Sequence, residues 1–345
     1  MRRRGPHRHG TGRTTGRRHH GVDRRTVLSL APDATPMSMN MTLMMVGKTR
    51  TPTTPGLAGR VRRLTLAAAI VLVAGLGAQT PQRIVSVIPA VTEILFAIGA
   101  GSEVVGVGSY DQFPPEIANL PRIGGLIDPD IETIIALRPD LVVPYATQVD
   151  LVAQLGRAGI PLFQYSHGTL SDVLTTIRQL GDRTGHARQA EDVARGIEAD
   201  LAAIAEAVSG RRRPRTLLVI AREPGSLRNL FASGGSGFQH DMLWLAGGEN
   251  VFDASVSRAA QVTTETILQA APDVVLEVRA GQALSPAEVA REVAVWQALP
   301  SLPAVRNGRV VFLTGNDLVI PGPRIVQGVT RFAGALHPDV ALPTR

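Results

Sequence analysis

The chain carries one eleven-residue pattern twice. Residues 132–142 read ETIIALRPDLV, and residues 265–275 read ETILQAAPDVV. In both copies a glutamate lies seven residues before a Pro-Asp pair, which leads into an apolar run. Because proline disfavours a helical conformation in the residue before it, the pattern predicts a helix that ends at the proline and a buried strand after it.

The segments upstream of the two copies are also similar. Arg83-Ile84-Val85 opens one apolar, strand-like run, and Arg215-Thr216-Leu217 opens another 132 residues later. The two glutamates, Glu132 and Glu265, are 133 residues apart. These nearly equal offsets predict two equivalent units. A glutamate at the same place in each unit further suggests a binding partner that is itself two-fold.

The charge distribution separates an N-terminal segment from the rest of the chain. The 345 residues are enough for two domains of ordinary size. Residues 1–78 contain 14 of the 36 basic residues and 2 of the 29 acidic residues, so the remaining chain is mildly acidic. This distribution argues against nucleic-acid binding. The absence of cysteine excludes disulfides, thiolate zinc sites, cysteine nucleophiles and the acylated cysteine of a lipoprotein anchor.

The N-terminal segment has the composition of a leader followed by an export signal. We expect residues 1–59, rich in Arg, His, Gly, Thr and Pro, to be a disordered leader. Residues 60–78 combine three arginines, the short apolar run 64–74 and the small residues GLGA, which is typical of a secretory signal peptide. We expect cleavage near Gly77 or Ala78 and a periplasmic protein. The alternative is an uncleaved N-terminal membrane anchor.

Strand and helix patterns alternate in residues 79–185, the predicted N-terminal lobe, and again in residues 211–345, the predicted C-terminal lobe. Between them, residues 186–210 have apolar residues at helical spacing, which predicts a linking helix of roughly 35 Å. The predicted fold is α/β, with two Rossmann-like lobes containing mainly parallel sheets and joined by one long rigid helix. The predicted strands are 84–88, 104–107, 141–143, 161–163, 216–220, 274–278 and 310–313; the predicted helices are 92–98, 131–137, 151–158, 171–183, 186–209, 238–245, 264–270, 286–298 and 324–336.

A series of short motifs resembles a known family. The motifs are RIVS at 83–86, TEILFAIG at 92–99, VVGV at 104–107 followed by Tyr110, PP at 114–115, LPRIGG at 120–125, GGENVF at 247–252, and PRI at 323–325. Together with the glutamate pattern, they resemble the helical-backbone (class III) periplasmic substrate-binding proteins of ABC importers for cobalamin, haem and ferric siderophores. The cobalamin-binding branch is the most similar. The resemblance covers residues 83–336.

The resemblance implies a periplasmic receptor that holds its ligand between two lobes and delivers it to a membrane permease dimer. One surface glutamate on each lobe of the family docks onto permease arginines, and Glu132 and Glu265 match these positions. Such carboxylate–arginine pairs are charge-assisted and steer encounter. The alternative is that each glutamate only favours the first turn of a helix through the helix dipole. We expect a monomer whose ligand is a cobalt- or iron-containing chelate, with no resident cofactor and no metal site.

Ligands of open α/β sheets lie beyond the carboxyl ends of the strands. The ligand-binding residues predicted on this basis are Pro89, Ala90, Tyr110, Leu126, Ile127, Tyr145, Arg222, Arg279 and Asp317; Ser233-Gly234 and Asn316 also follow predicted strands. The pocket tryptophans of the cobalamin branch are expected near Leu126 and near Ala259-Ala260, and neither place is aromatic here.

The chemistry of the nominated residues leaves the ligand open. Arg222 and Arg279 either bind a carboxylate or phosphate of the ligand or pair with Glu223 or Glu277. A haem ligand needs an axial His or Tyr, for which Tyr110, Tyr145 and His167 are candidates. We find no G-x-S-x-G, P-loop, H-E-x-x-H or dinucleotide motif, which favours a binding protein without catalytic residues. The alternatives are an enzyme on a similar two-lobed scaffold and a membrane-anchored sensor or scaffold domain.

Overall fold

Two β-sheets organise the part of the chain that the structure, a computed structural model, describes: residues 80–255 and 257–343. The predicted leader and signal peptide lie outside this part. Within it, no helix combines the length and the apolar character needed to cross a membrane. The described residues all belong to one compact unit, Ala74–Arg345, in which the two sheets form the two lobes.

The N-terminal lobe is built on a parallel sheet with the strand order β2-β1-β3. All three strands are almost completely buried, as expected for a sheet covered on both faces. The elements are β1 (Ile84–Ser86), α1 (Pro89–Ala97), β2 (Val104–Val107), α2 (Ile131–Ala136), β3 (Leu141–Val143) and α3 (Val149–Arg157).

The predicted strand at 161–163 is wrong. Only isolated bridges form there, between Val142 and Leu162 and between Tyr145 and Tyr165. Pro161 and Pro144 lie in the two facing segments, and each lacks the N–H that a regular ladder requires. The segment therefore follows the sheet edge without becoming a strand.

Two packed helices follow the first sheet. The helix α4 (Leu170–Thr184) starts with a capping box between Thr169 and Asp172 and ends at Gly185 in the left-handed conformation. The helix α5 (Ala187–Ala207) has 21 residues and is about 31 Å long, slightly shorter than predicted. Gly181 lets the two helices approach closely, since a Cβ at this position would lie 2.2 Å from the Ala190 Cβ.

The C-terminal lobe contains a mixed sheet with the order β7-β5-β4-β8-β9, and β6 pairs with β4. The strands β5 and β7, which the sequence did not predict, are antiparallel to their neighbours. As a result Ser233 lies toward the amino end of β4, so the prediction that Ser233-Gly234 is at the ligand-facing edge is wrong. The elements are β4 (Arg215–Ala221), β5 (Phe231–Ser233), α6 (Phe238–Leu245), β6 (Glu249–Asn250), β7 (Ala259–Gln261), α7 (Thr264–Ala270), β8 (Val274–Arg279), α8 (Pro286–Ala294), α9 (Pro303–Arg306), β9 (Val310–Thr314) and α10 (Ile325–Leu336).

The duplicated pattern builds the same local structure in both lobes. The Asp140 carboxylate accepts a hydrogen bond from the Arg83 backbone N–H at 2.8 Å, and the Asp273 carboxylate accepts one from the Arg215 N–H at 3.2 Å. Each of these arginines also donates from its guanidinium to a carbonyl near the end of the glutamate-bearing helix, at 2.7 and 2.8 Å. The Pro-Asp pair and the upstream arginine therefore join helix and strand identically in the two copies.

Candidate ligand cleft and docking surface

The carboxyl-terminal edges of the two sheets meet across the lobes. Gln112 follows β2 and Asn316 follows β9, and the Asn316 amide donates a hydrogen bond to Gln112 Oε1 at 3.1 Å. At another point the Arg258 guanidinium donates to the His167 carbonyl. The space between these two edges is the candidate ligand cleft.

The N-terminal lobe exposes apolar side chains on its side of the cleft. Tyr110 is 68% exposed and Ile127 is 99% exposed, while Leu126 is half-buried. The Tyr110 ring lies close to Gly125, because a Cβ on that glycine would be 3.2 Å from Tyr110 Cε2. The structure thus brings together three of the predicted ligand-binding residues, which come from two different loops.

A cavity of about 540 Å³ lies beside these residues, between the 126–131 loop and the start of α3. Gln148, which the sequence did not single out, forms hydrogen bonds to two segments around this cavity. Its side-chain amide donates to the Leu126 carbonyl at 2.7 Å, and its Oε1 accepts from the Tyr145 N–H at 2.8 Å. Nothing in a lone glutamine at a helix start indicates this role in the sequence.

Tyr145 and His167 form an aromatic pair at the inner end of the cleft. The Tyr145 hydroxyl lies 3.2 Å from His167 Nδ1, and the His167 ring meets the Phe238 ring edge-on at 6.3 Å. Burial raises the pKa of Tyr145. Burial and the neighbouring Arg258 both lower the pKa of His167, so this pair is uncharged at neutral pH.

The structure buries Ala90, so it adds no support to the prediction that this residue binds the ligand. The helix α1 begins at Pro89, three residues earlier than predicted, and Ala90 is only 2% exposed within its first turn. Gly322 of the other lobe covers this turn, since a Cβ on Gly322 would lie 3.7 Å from the Ala90 carbonyl oxygen. Pro89 is half-buried at the helix start.

Arg222 is also not available to a ligand. Its side chain is fully buried and bonds to the Glu277 carboxylate at 2.9 Å and to the Glu292 carboxylate at 2.8 Å. Arg279, whose side chain is 29% exposed, joins the same cluster through Glu292 at 3.3 Å. Burial raises the pKa of Glu277, and Arg222 opposes this rise. The two arginines and two glutamates balance in charge, so pairing with Glu277 is the observed alternative for Arg222.

Asp317, which was also predicted to bind the ligand, is likewise paired within the protein. Its carboxylate pairs with Arg331 at 2.9 Å, and its side chain is largely buried. The same arginine donates to the Thr314 carbonyl at the end of β9 at 2.7 Å. Asp317 therefore fixes the turn after β9 within its own lobe.

Asp111, which follows Tyr110, is a buried carboxylate that the sequence did not reveal. The Thr92 hydroxyl donates to one of its oxygens, and the other oxygen has no hydrogen-bond partner in the described part of the chain. Burial is the main cause that raises the pKa of Asp111 to about 7, against the donor from Thr92. The loop that presents Tyr110 thus contains a group that titrates near neutral pH.

Glu132 and Glu265 are exposed in the first turns of α2 and α7. Other residues cap these helices: the Asp130 side chain accepts from the Thr133 N–H at 2.9 Å, and the Thr263 hydroxyl accepts from the Thr266 N–H at 3.2 Å. Neither glutamate side chain makes a hydrogen bond or ion pair with any residue that the structure describes. Both carboxylates are therefore open to a partner, and neither is needed as a cap.

The sequence profile of the periplasmic binding protein family matches residues 84–316, more than half of the chain. The vitamin B12-binding protein of Salmonella typhimurium (strain LT2) is 30% identical over 256 residues, which cover 74% of this chain and 90% of that protein. The periplasmic haem-binding protein RhuT of Roseiflexus sp. RS-1 has a TM-score of 0.62 and 28% identity, covering 74% of this chain and 98% of that one. A periplasmic haem-binding protein of Pseudomonas aeruginosa has a TM-score of 0.65 and 26% identity, covering 76% and 95%. The chain therefore belongs to the periplasmic binding protein family, and within it to the two-lobed substrate-binding proteins of ABC importers.

Proposed function

We propose that the protein captures cobalamin or a related corrinoid between its lobes in the periplasm, without chemical turnover, and delivers it to an ABC permease. The observation that carries this proposal is the apolar character of one cleft wall, together with the charge balance of the cluster behind the strand ends of the other. One wall exposes Tyr110 and Ile127 beside the half-buried Leu126, and the balanced cluster around Arg222 lies buried behind the other. A corrinoid is a large macrocycle with mostly uncharged amide side chains, which suits aromatic and aliphatic contacts.

The charge balance distinguishes this ligand from acidic ones. Haem has two propionates, and many ferric chelates are anionic, so both favour sites with uncompensated arginines. At the strand ends of the C-terminal lobe, Arg222 and Arg279 already share the carboxylates of Glu277 and Glu292. An anion placed there would compete with carboxylates that are part of the lobe's own structure.

Haem, or a ferric siderophore, is the alternative ligand, and one observation favours haem. Tyr145 and His167 place a phenol and an imidazole 3.2 Å apart at the cleft, and both are residue types that bind haem iron. Arg258 is exposed beside them and would be a partner for a propionate. The haem-binding proteins among the structural relatives support keeping this alternative.

We further propose that Glu132 and Glu265 dock the protein, as a monomer, onto the two subunits of a permease dimer. Their support is the equivalent position on each lobe and the absence of a capping role for either carboxylate. A two-fold permease would present the same arginine-lined surface to both lobes. Carboxylate–arginine contacts of this kind contribute both affinity and steering.

Titration of the purified protein, residues 79–345, tests the ligand. We expect saturable binding of cobalamin that weakens by about ten- to a hundredfold in Tyr110→Ala, because a stacked aromatic face is lost. Tyr110→Phe, the matched control, keeps the ring and should bind nearly as well as the wild type. Absorption spectra recorded with cobalamin, haem and ferric siderophores distinguish the three classes.

Binding of haem without binding of cobalamin would contradict the corrinoid proposal and favour the alternative. In that case Tyr145→Phe and His167→Ala should change the haem absorption spectrum, because each removes a candidate iron ligand. Tyr165→Phe is the matched control, since Tyr165 contacts both rings of this pair but is buried.

A further inference from the structure

Two of the motif residues, distant in sequence, meet across the lobes. Glu93 lies in α1 of the N-terminal lobe, and Arg324 lies just before α10 of the C-terminal lobe. Arg324 Nε donates to Glu93 Oε2 at 2.9 Å, and Nη2 donates to Oε1, so the pair is bidentate. Glu93 is only 3% exposed, which makes this a buried ion pair between lobes.

The same arginine contacts the loop that presents Tyr110. Its guanidinium lies over the Phe113 ring, 4.3 Å from the ring centroid. Two residues before the arginine, Gly322 packs against α1, and a Cβ there would lie 3.2 Å from Glu93 Oε2. The 316–324 segment of the C-terminal lobe thus contacts both α1 and the 108–114 loop, the latter also through the Asn316–Gln112 hydrogen bond.

We propose that Arg324 is a positioning residue that latches the two lobes through Glu93 and, by stacking on Phe113, fixes the 108–114 loop so that Tyr110 faces the cleft. The inference rests on the proposed function only where it concerns Tyr110 and the ligand. The latch itself follows from the contacts between the lobes.

The energetic basis is the burial of Glu93. If Arg324 moved away by a small rotation of its lobe, Glu93 would remain buried without its counter-charge, and this is strongly unfavourable. Burial raises the pKa of Glu93, and Arg324 opposes this rise. Both effects are expected for a buried carboxylate whose charged form is stabilised by an arginine. Intermediate lobe positions are therefore disfavoured, and the cleft width is held at one value.

The absence of cysteine makes this test direct, because labels can be attached only at introduced cysteines. In the full-length chain, Ala153→Cys on α3 and Gln269→Cys on α7 place nitroxides at exposed sites on the two lobes. Pulsed electron paramagnetic resonance then gives the distribution of distances between lobes without any ligand. We expect Arg324→Ala to broaden this distribution, and Arg324→Lys, which keeps the charge, to restore part of its sharpness.

Hydrogen exchange provides the readout for the loop. We expect Arg324→Ala to accelerate amide exchange in residues 108–114 while β1 and β3 remain protected. Arg178→Ala is the matched control, since it removes two ion pairs between α4 and α5 but no contact between lobes. It should alter neither the distance distribution nor exchange in the loop. Glu93→Gln, which preserves shape and removes the charge, gives the same test should Arg324→Ala fail to fold.

A folded Arg324→Ala or Glu93→Gln variant with an unchanged distance distribution and unchanged loop exchange would overturn the latch. With the ligand identified by titration, we expect its affinity for Arg324→Ala to fall about five- to tenfold, the size typical of an indirect contribution. Failure of all tested chelates to bind would contradict the proposed function alone, because the distance and exchange measurements need no ligand.

Discussion

The two lobes share the structure around their glutamates but differ at the strand ends that face the cleft. Glu132 and Glu265 occupy equivalent first turns, each followed by the same Pro-Asp junction. At the strand ends, by contrast, the N-terminal lobe exposes Tyr110, whereas the C-terminal lobe buries Arg222 among carboxylates. The duplicated part suits a two-fold partner, and the part that differs suits a ligand with two unlike faces.

The largest expected effect that tests the equivalence of the two lobes is on the affinity for the permease. We expect Glu132→Ala and Glu265→Ala each to weaken permease binding by about 2–5 kcal/mol, since each leaves a permease arginine without its carboxylate. Because the two sites are far apart in sequence and lie on different lobes, the effects should be nearly additive in the double variant. Binding to the permease in lipid nanodiscs and transport into vesicles measure this.

Glu206→Ala, which removes an exposed glutamate from α5, is the control and should leave docking unchanged. The two single docking variants, the double variant and Glu206→Ala should all retain the ligand affinity of the wild type. A large effect of one docking glutamate and none of the other would show that the two halves are not functionally equivalent. Unchanged transport by the double variant would contradict the docking proposal.

The next effect concerns two buried carboxylates, one from each lobe, whose partners differ. Glu277 is paired with Arg222, whereas Asp111 is held mainly by the Thr92 hydroxyl and has a pKa of about 7 against an ordinary value of 3.8. Since the pKa of Asp111 is higher in the folded state, its contribution to stability is fully present below about pH 4 and is lost as pH rises through 7. We expect a loss of up to about 4 kcal/mol over this window.

Asp111→Asn should remove this part of the pH dependence. The free energy of unfolding in urea, measured at several pH values between 4 and 8, tests this against the wild type. Glu93, Asp241 and Glu277 also have raised pKa values, but they are common to both proteins and cancel in the difference. Asp128→Asn, which changes an exposed carboxylate, should retain the wild-type profile. If the free energy of unfolding of Asp111→Asn changed with pH in parallel with that of the wild type, this would contradict the raised pKa assigned to Asp111.

Local signals predicted most of the fold. The helices at 238–245 and 264–270 and the strands at 104–107 and 141–143 have the predicted bounds, because apolar periodicity and flanking Gly or Pro define them within a few residues. The strands β5 and β7 were not predicted. Each has only three residues, which is too short for a clear alternation of apolar and polar residues, and their pairing depends on partners far along the chain.

The cleft was predictable only in part, for a related reason. The strand-end rule located Tyr110 and Ile127 in exposed loops, because the rule concerns backbone topology. Whether Arg222 faces a ligand or a carboxylate depends on Glu292, which lies 70 residues away in sequence. Likewise, Glu93 and Arg324 were recognised as motif residues, but their contact across 231 residues appears only in the folded chain.

The smallest expected effect tests the equivalence of the duplicated junctions. The residue before each Pro-Asp pair has a left-handed backbone: Arg138 with φ 47° and Ala271 with φ 44°. This conformation costs a residue with a side chain roughly 1–2 kcal/mol, whereas glycine adopts it readily. After allowance for the greater freedom of glycine in the unfolded chain, we expect Arg138→Gly and Ala271→Gly each to stabilise the protein by about 0.5–1 kcal/mol.

Urea unfolding of both variants and of the double variant measures this effect. Ala270→Gly is the control, since Ala270 is the last residue of α7 and, unlike Ala271, is not among the residues with a positive φ, so glycine relieves no strain there. Because the junctions share the aspartate and arginine contacts as well as the backbone angle, the two gains should be equal. A gain at residue 271 with none at residue 138 would mean that the exposed Arg138 side chain contributes to its turn, and that the two copies match in geometry but not in energy.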